Sequence, residues 1–475
     1  MERRKFIQNT VLGGSALAMN PFPITAGIFS GSKFPVVRTP KEERNFNSEH
    51  IEKLITEFRK NVKNEELGWL FNNCFPNTLD TTVTYNEVNG RPDTYVITGD
   101  IDAMWLRDSS AQVWPYLKFT DKDENLKKLI AGVINRHTQY ILKDPYANAF
   151  YDDPQETGYW VKDVTDMQPG IHERKWEIDS LCYPIRLGYH YWKETGDEAP
   201  FDEDWRAAIG SILKVFRDQQ RKDGQGQYSF MRETVTATDT VPLKGYGYPV
   251  NPVGLIASAF RPSDDATVFS FLIPSNFFAV VSLRQAAEML QAIHGDLNTA
   301  GALNSLAYEV EKALKEHAIV EHPKYGDIYA YEVDGFGSRL LMDDANVPSL
   351  LGLPYLGAVP TNDPIYQNTR KFVWSLDNPF FFKGSAAEGI GGPHIDVDYV
   401  WPMSIIIRGL TSNDAEEIAE CIELIRTTHA DTGFMHESFH KDNPADFTRS
   451  WFAWTNTLFG ELLWKTYQER PELLI

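Results

Sequence analysis

The sequence predicts an all-α chain whose helical hairpins ring a central axis, and three observations carry that expectation. Segments with apolar side chains at helical spacing recur in pairs, alternating apolar and polar runs are scarce and brief, and no glycine fingerprint of the dinucleotide-binding kind follows a strand-like run. Residues 124–142 form one such segment, and 179–192 and 203–216 are two more, joined by a turn containing Gly, Asp and Pro. A second pair follows at 276–293 and 299–317, and helices at 413–428 and 451–467 flank a long polar loop. Strand-like patterning is confined to 326–333 and 95–97. This many hairpins, linked by long Gly-, Pro- and aromatic-rich loops, exceeds a four-helix bundle and suits concentric helices with their loops gathered at one end. No fixed period marks a repeat array, which weighs against a solenoid, and two smaller α domains stand as the other alternative.

The chain has 475 residues, 42% hydrophobic and 24% charged, enough apolar material for a sizeable core. With 46 basic against 66 acidic residues the formal charge is −20, which offers no general attraction to nucleic acid or anionic lipid. Aromatic residues reach 13%, including 12 Trp, a supply that suits a neutral ring stacked in a cleft. Cys74, Cys182 and Cys421 are too few for a disulfide framework and too far apart for a local zinc motif, leaving room for one bridge. Beyond the N-terminus no apolar run reaches the ~18 residues of a membrane span, so no membrane insertion is expected.

At the N-terminus, Arg3-Arg4 followed by Phe6-Ile7 and a short apolar stretch resembles a twin-arginine export signal, with a cleavage point after Ala18. The expected organisation is a signal and leader over 1–30 and a single domain over 31–475, in a periplasmic or secreted protein; the alternative is a basic first helix of a cytoplasmic one.

Polar chemistry collects in five places. Residues 95–117 set Asp100, Asp102, Arg107 and Asp108 among Trp105, Trp114 and Tyr116, a mixture of acceptors, a guanidinium fork and flat apolar faces that matches a sugar ring; a structural pair at a helix start explains Arg107 and Asp108 equally well. Residues 172–184 add Glu173, Glu177 and Asp179 beside Trp176, where a helix dipole accounts for Asp179. Asp264 and Asp265 are adjacent before an apolar run, so that one is expected to have a raised pKa suited to a general acid, unless either merely caps a helix. The last two clusters hold Glu388, His394, Asp396, Asp398 and Trp401, and then His436, Glu437, His440, Asp442, Arg449, Trp451 and Trp454. His436 to His440 fits the zinc-peptidase pattern HExxH, although Gly433 and Pro444 mark a loop where that motif needs a helix.

Taken together, GDIDAMWLRDSSAQVWPY, WEIDSLCYP, AFRPSDDA, LMDDANVPSLL, EGIGGPHI and MHESF resemble glycoside hydrolase family 125, the exo-acting α-1,6-mannosidases, across roughly residues 60–470. The resemblance implies an (α/α)6 barrel, a pocket acting on non-reducing ends, inversion at the anomeric carbon, and no cofactor or required metal. Inversion needs an acid and a base about 6.5–9.5 Å apart with a water between. The resemblance puts the acid at Asp264, with Asp265 its rival, and the base at Glu437, with Glu388 in reserve. It leaves Asp102, Trp105, Arg107, Asp108, Asp179, Asp344, Asn346, His394, His436 and Arg449 as candidate sugar binders. The implied partners are α-1,6-linked mannosides of glycans or mannan, with no nucleic acid and a monomeric state. The rivals are a zinc metallopeptidase built on His436, Glu437 and His440, and a mannoside-binding protein without turnover.

Overall fold

The computed structural model describes residues 34–475, so the twin-arginine-like segment lies outside the described residues. By contacts the chain divides into Met1–Val37 and Arg38–Ile475, and the helices named below all belong to the second unit. Among the described residues there are twelve helices of eight or more residues: α1 Glu49–Asn61, α2 Glu65–Cys74, α3 Leu106–Val113, α4 Glu124–Lys143, α5 Ile178–Thr195, α6 Glu203–Asp218, α7 Ile273–Met289, α8 Leu297–His317, α9 Pro364–Val373, α10 Pro402–Leu410, α11 Ala415–Arg426 and α12 Ala453–Glu469.

Burial sorts them into two layers. Every residue of α3 is buried, and α5, α7, α10 and α12 bury most of their length, whereas α1 buries only the stripe Ile51, Leu54, Ile55 and Phe58, and α6 the stripe from Trp205 to Phe216. A helix covered all round belongs inside and a striped one outside. The inner helices pack as α10–α12–α3–α5–α7, while α4, α6 and α8 neighbour one another outside. Between α8 and α9, bends and turns run over 345–357, where Pro348, Gly352 and Pro354 prevent a continuous helix. Asp343 holds these turns through the N–H groups of Leu350 (2.8 Å) and Leu351 (2.9 Å), and the Tyr183 hydroxyl of α5 donates to the Val347 carbonyl (2.9 Å).

Capping follows the same division. The outer helices and α2 begin on Ser48, Asn64, Asp123, Asp202, Asp296, Asp363 and Asp414, whose side chains accept from first-turn N–H groups. The inner helices begin on Trp105, Glu177, Leu272, Trp401 and Phe452, with no side-chain cap. Short strands lead into three of them: Met104–Trp105 into α3, Phe271–Leu272 into α7 and Tyr399–Val400 into α10.

Against the sequence reading, the helices expected from 124 to 142, 179 to 216, 276 to 317 and 413 to 467 are present with ends shifted by a few residues. The helices α1, α2, α3, α9 and α10 are additions; α3 and α10 are buried on nearly all sides and lack a polar face to reveal their period, whereas α1 and α9 carry a stripe that the reading passed over. The strand expected at 326–333 is two, Gly326–Tyr329 and Glu332–Val333, and the one at 95–97 is part of a hairpin of Val83–Val88 with Arg91–Val96. Asn89 and Gly90 turn that hairpin with φ of 54° and 76°, a pair of left-handed residues suited to a two-residue loop. Cys74, Cys182 and Cys421 are buried and free.

Ring closure brings α1 and α2 against α12. Phe71 stacks on Phe58 at 4.0 Å and Phe75 at 4.8 Å and faces Trp464 of α12 at 6.2 Å, all within the core. Phe71→Ala is expected to lower unfolding stability by about 3–5 kcal/mol, read as a fall in denaturation midpoint with the protein still folded in buffer.

Candidate active site

Three inner helices, α3, α10 and α12, send their first residues to one cavity of about 110 Å³. Trp105, Trp401, Phe452 and Trp454 give it aromatic walls, while Arg107, Asp108, Asp264, Asn346, His394, Glu437 and Arg449 give it polar ones. A larger hollow of about 610 Å³ lies elsewhere, but its Arg370, Arg408 and Glu417 are already paired with one another.

The deepest feature is the Arg107 guanidinium. Its Nη1 lies 2.5 Å from Glu177 and 3.3 Å from Asp179, its Nη2 lies 3.2 Å from Asp264, and its Nε lies 3.4 Å from Asp108. Uncapped N-termini of α3 and α5 add favourable partial charge to this acidic group. Glu177 and Asp179 are wholly buried, whereas the Asp264 side chain keeps 24% of its surface accessible. Asp264 and Asp108 are thus the carboxylates of the cluster that reach the cavity, and Asp264 is the more accessible of the two. Its loop is pinned from behind: the Asp264 N–H donates to the Arg261 carbonyl (2.9 Å), and Arg261 pairs with buried Glu332 (2.7 Å). Asp264 itself adopts φ 65°, a left-handed conformation that Asp tolerates better than most residues.

Electrostatics separates these acids. Burial pushes the Asp108 carboxyl up, and it pushes Asp179 up to about 6 and Glu177 well above the ordinary range, each against the pull of Arg107. For Asp264, burial also acts upward, but Arg107, Lys175 and a hydrogen bond with Glu177 hold it below its ordinary value. Asp265 is likewise held low, because His394 offsets burial. The expectation of a raised pKa within the Asp264–Asp265 pair is therefore corrected: the raised acids are Asp108 on the cavity wall and Glu177 and Asp179 behind it.

The opposite wall is Glu437. The Thr448 hydroxyl donates to its Oε2 (3.0 Å) and Arg449 Nη1 to its Oε1 (3.3 Å). Arg449 is fixed in turn by Asp100 (2.8 Å from Nε) and by the Thr98 carbonyl (3.0 Å). His394 lines the same cavity, 3.7 Å from Asp265. Burial opposes its charge, but Asp265, with Glu437 and Asp264 farther off, raises its pKa to about 9, so it is an imidazolium at neutral pH.

Three buried polar atoms on residues lining the cavity have neither a hydrogen-bond nor an ion-pair partner: Thr98 Oγ1, Trp105 Nε1 and Trp401 Nε1. Buried polar groups are nearly always satisfied, so donors and acceptors left together around one hollow are suited to a polyhydroxylated ligand.

The family model for metal-independent alpha-mannosidases (GH125) matches residues 64–464. The chain belongs to that family. A GH125 structure from Streptococcus pneumoniae, described as a metal-independent alpha mannosidase in a non-productive complex with alpha-1,6-mannobiose, is 41% identical with a TM-score of 0.86, covering 89% of this chain and 99% of its own. The chain therefore has the (α/α)6 toroid of that relative. The Meiotically up-regulated gene 157 protein of Schizosaccharomyces pombe is 42% identical over 460 residues, 93% of this chain and 90% of its own. A GH78 family rhamnosidase of Bacillus sp. GL1, 13% identical with a TM-score of 0.52 over 86% of this chain and 35% of its own, shares the fold alone.

Within this GH125 site the sequence candidates fall into three groups. Trp105, Arg107, Asp108, Asp264, Asn346, His394, Glu437 and Arg449 line the cavity together. Asp179, Asp265 and Asp344 stand behind it: Asp179 supports Arg107, Asp265 contacts His394 and Ser263, and Asp344 accepts from the Ser263 hydroxyl (2.9 Å) and the Asn346 N–H (3.0 Å). Three are elsewhere. Asp102 is exposed, Glu388 pairs with Lys383 (2.5 Å) and Trp374 (3.3 Å), and His436 is stacked flat on Phe447 at 3.8 Å. The HExxH stretch ends in the strand Ser438–His440, so no helical turn brings His436 and His440 to one face. The sequence reading missed Thr98, Ile101, Ser263 and Phe452 on the cavity wall, and Asn148 and Lys175 behind Asp264. Nothing in the spacing of Asn148 announces it, while Lys175 is a charge inside an otherwise buried run.

The His394 imidazolium contributes to stability fully below the ordinary histidine pKa of ~6.5, and that contribution disappears as pH rises through about 9. An NMR titration of the His394 ring should show its midpoint near 9, and His394→Gln should remove the corresponding alkaline loss of stability.

Proposed function

We infer that this chain is an exo-acting α-1,6-mannosidase that removes non-reducing terminal mannose with inversion. The observation that carries this reading is the cavity in which three unpartnered polar atoms and four aromatic walls meet two carboxylates held on separate supports. The bound α-1,6-mannobiose of the pneumococcal relative supports the linkage.

The chemistry divides between the two walls. Asp264 passes a proton to the glycosidic oxygen as the bond to the anomeric carbon breaks. Glu437, kept as an acceptor by Thr448 and Arg449, takes a proton from the water that attacks the opposite face. Trp105, Trp401, Phe452 and Trp454 cover the apolar faces of the sugar and exclude bulk water, while Arg107, Asp108 and the indole N–H groups hold its hydroxyls. A pocket this small admits one terminal sugar, which favours end-on attack.

The Arg3-Arg4 segment supports an exported, periplasmic or secreted enzyme. In a twin-arginine-competent host, Arg3→Lys with Arg4→Lys should keep the activity in the cytoplasmic fraction; unchanged export would sink this part of the reading.

With excess chelator, the purified enzyme should release mannose from α-1,6-mannobiose, and should shorten α-1,6-mannotriose one terminal residue at a time. Asp264→Asn and Glu437→Gln should each lower kcat by about 10²–10⁴-fold at nearly unchanged thermal stability, and Asp265→Asn by less. Full activity in either of the first two variants would remove that residue from its role.

A further inference from the structure

Arg107 faces four carboxylates at 2.5 to 3.4 Å with one positive charge. The other cations near them are engaged elsewhere: Lys175 lies 2.8 Å from Asp239 and 3.4 Å from Glu173, and Arg232 binds Asp163 (2.6 Å) and Glu173 (2.8 Å). Toward Asp264, Lys175 offers its ammonium to the backbone carbonyl (2.8 Å), leaving the carboxylate to other partners. The acidic group therefore retains at least one proton in the folded protein.

Geometry locates that proton. Glu177 Oε2 accepts from Arg107 and from the Ser180 hydroxyl (2.8 Å). The Asn148 amide, whose nearest acceptor is Glu173 (3.0 Å), also lies 3.4 Å from both Glu177 Oε1 and Asp264 Oδ1, so one nitrogen touches the two carboxyl groups as well. Arg107 also holds both, Glu177 through Nη1 (2.5 Å) and Asp264 through Nη2 (3.2 Å), so two carboxyl groups share one guanidinium, and a proton shared between them relieves their repulsion.

We propose that Glu177 and Asp264 act as a one-proton pair, with Glu177 the buried positioning residue that keeps Asp264 supplied as general acid. This rests on Asp264 being the acid. In the transfer, the O–H bond of Glu177 breaks as an O–H bond forms on Asp264. The Asp264 proton then goes to the glycosidic oxygen, which keeps the electron pair of the breaking C–O bond. Glu437 gains the proton of the attacking water, and exchange with solvent through the exposed edge of Asp264 returns one proton to the pair while Glu437 loses its own.

The groups facing the pair agree with this placement. Glu177 meets Arg107, Asp179 and Asp264, with burial pushing its carboxyl well up against the pull of Arg107. Asp264 meets Arg107, Glu173 and Lys175 as well as Glu177, while the pocket's His394 feels its charge. The exposed member is thus the carboxylate and the buried member the reservoir in the free enzyme.

Glu177→Gln keeps the shape and the bond to Asp264 but has no acidic proton to give. On α-1,6-mannobiose, kcat should fall by about 10²-fold, with the alkaline limb of the pH profile moved to lower pH. On a 2,4-dinitrophenyl α-mannoside, whose leaving group needs no protonation, activity should stay within about threefold of the parent. Equal losses on both substrates, or an unmoved alkaline limb, would overturn the pairing. Asp264→Asn serves as the control: if it lacks the same leaving-group dependence, the assignment of Asp264 as acid fails, independently of Glu177. Should the Glu177 variant not fold, Ser180→Ala, which removes the hydroxyl 2.8 Å from Glu177 Oε2, decides: the relay predicts a moved alkaline limb on mannobiose with the dinitrophenyl mannoside rate unchanged, and an unmoved limb rejects it.

Discussion

A buried guanidinium surrounded by four carboxylates organises this molecule. Arg107 is 3% exposed, and an ion so deeply removed from water is tolerable only if its partners compensate its lost hydration. Those partners come from three separated stretches, Asp108 on α3, Glu177 and Asp179 at the start of α5, and Asp264 on the loop before α7. Satisfying one charge therefore fixes three loops against each other. The same contacts create an excess of negative charge, and that excess makes a proton available where a leaving sugar would need one.

The toroid makes such a centre possible. Inner helices are buried on every side and cannot begin on solvent-facing Ser or Asp caps, so their N-terminal ends open into the ring. There they meet Trp105, Glu177, Trp401 and Phe452, and the carboxylates beneath them gain from the exposed N–H ends. The outer helices, capped in the ordinary way, close the ring without taking part. The chemistry is consequently concentrated at one end of the inner layer, with each side chain held by a helix start or by a short strand leading into it.

How much of this was legible in the sequence depended on what produces a pattern. The outer helices α4, α6, α8 and α11 show a stripe, and their spans could be read to within a few residues, although striped α1 and α9 were passed over; α3 and α10 show none, because a helix buried all round has no polar face. The cavity wall was legible where unusual residue types cluster, as in Trp105–Arg107–Asp108 and Glu437 with Arg449. Residues such as Thr98, Ser263 and Asn148 were not, since their role comes from three-dimensional proximity to distant carboxylates. Adjacency misled at Asp264 and Asp265: neighbours in sequence suggested mutual repulsion, but Arg107 holds one low and His394 the other, and the acids driven upward, Asp108, Glu177 and Asp179, lie far before Asp264 in the chain.

The central claim is that Asp264 and Glu437 act from opposite sides of the anomeric carbon with a water between them. Proton NMR of α-1,6-mannobiose hydrolysis, recorded before the released sugar mutarotates, tests it most directly. Early β-mannose is the result the account predicts; early α-mannose would mean retention, and would contradict a mechanism in which Glu437 activates water.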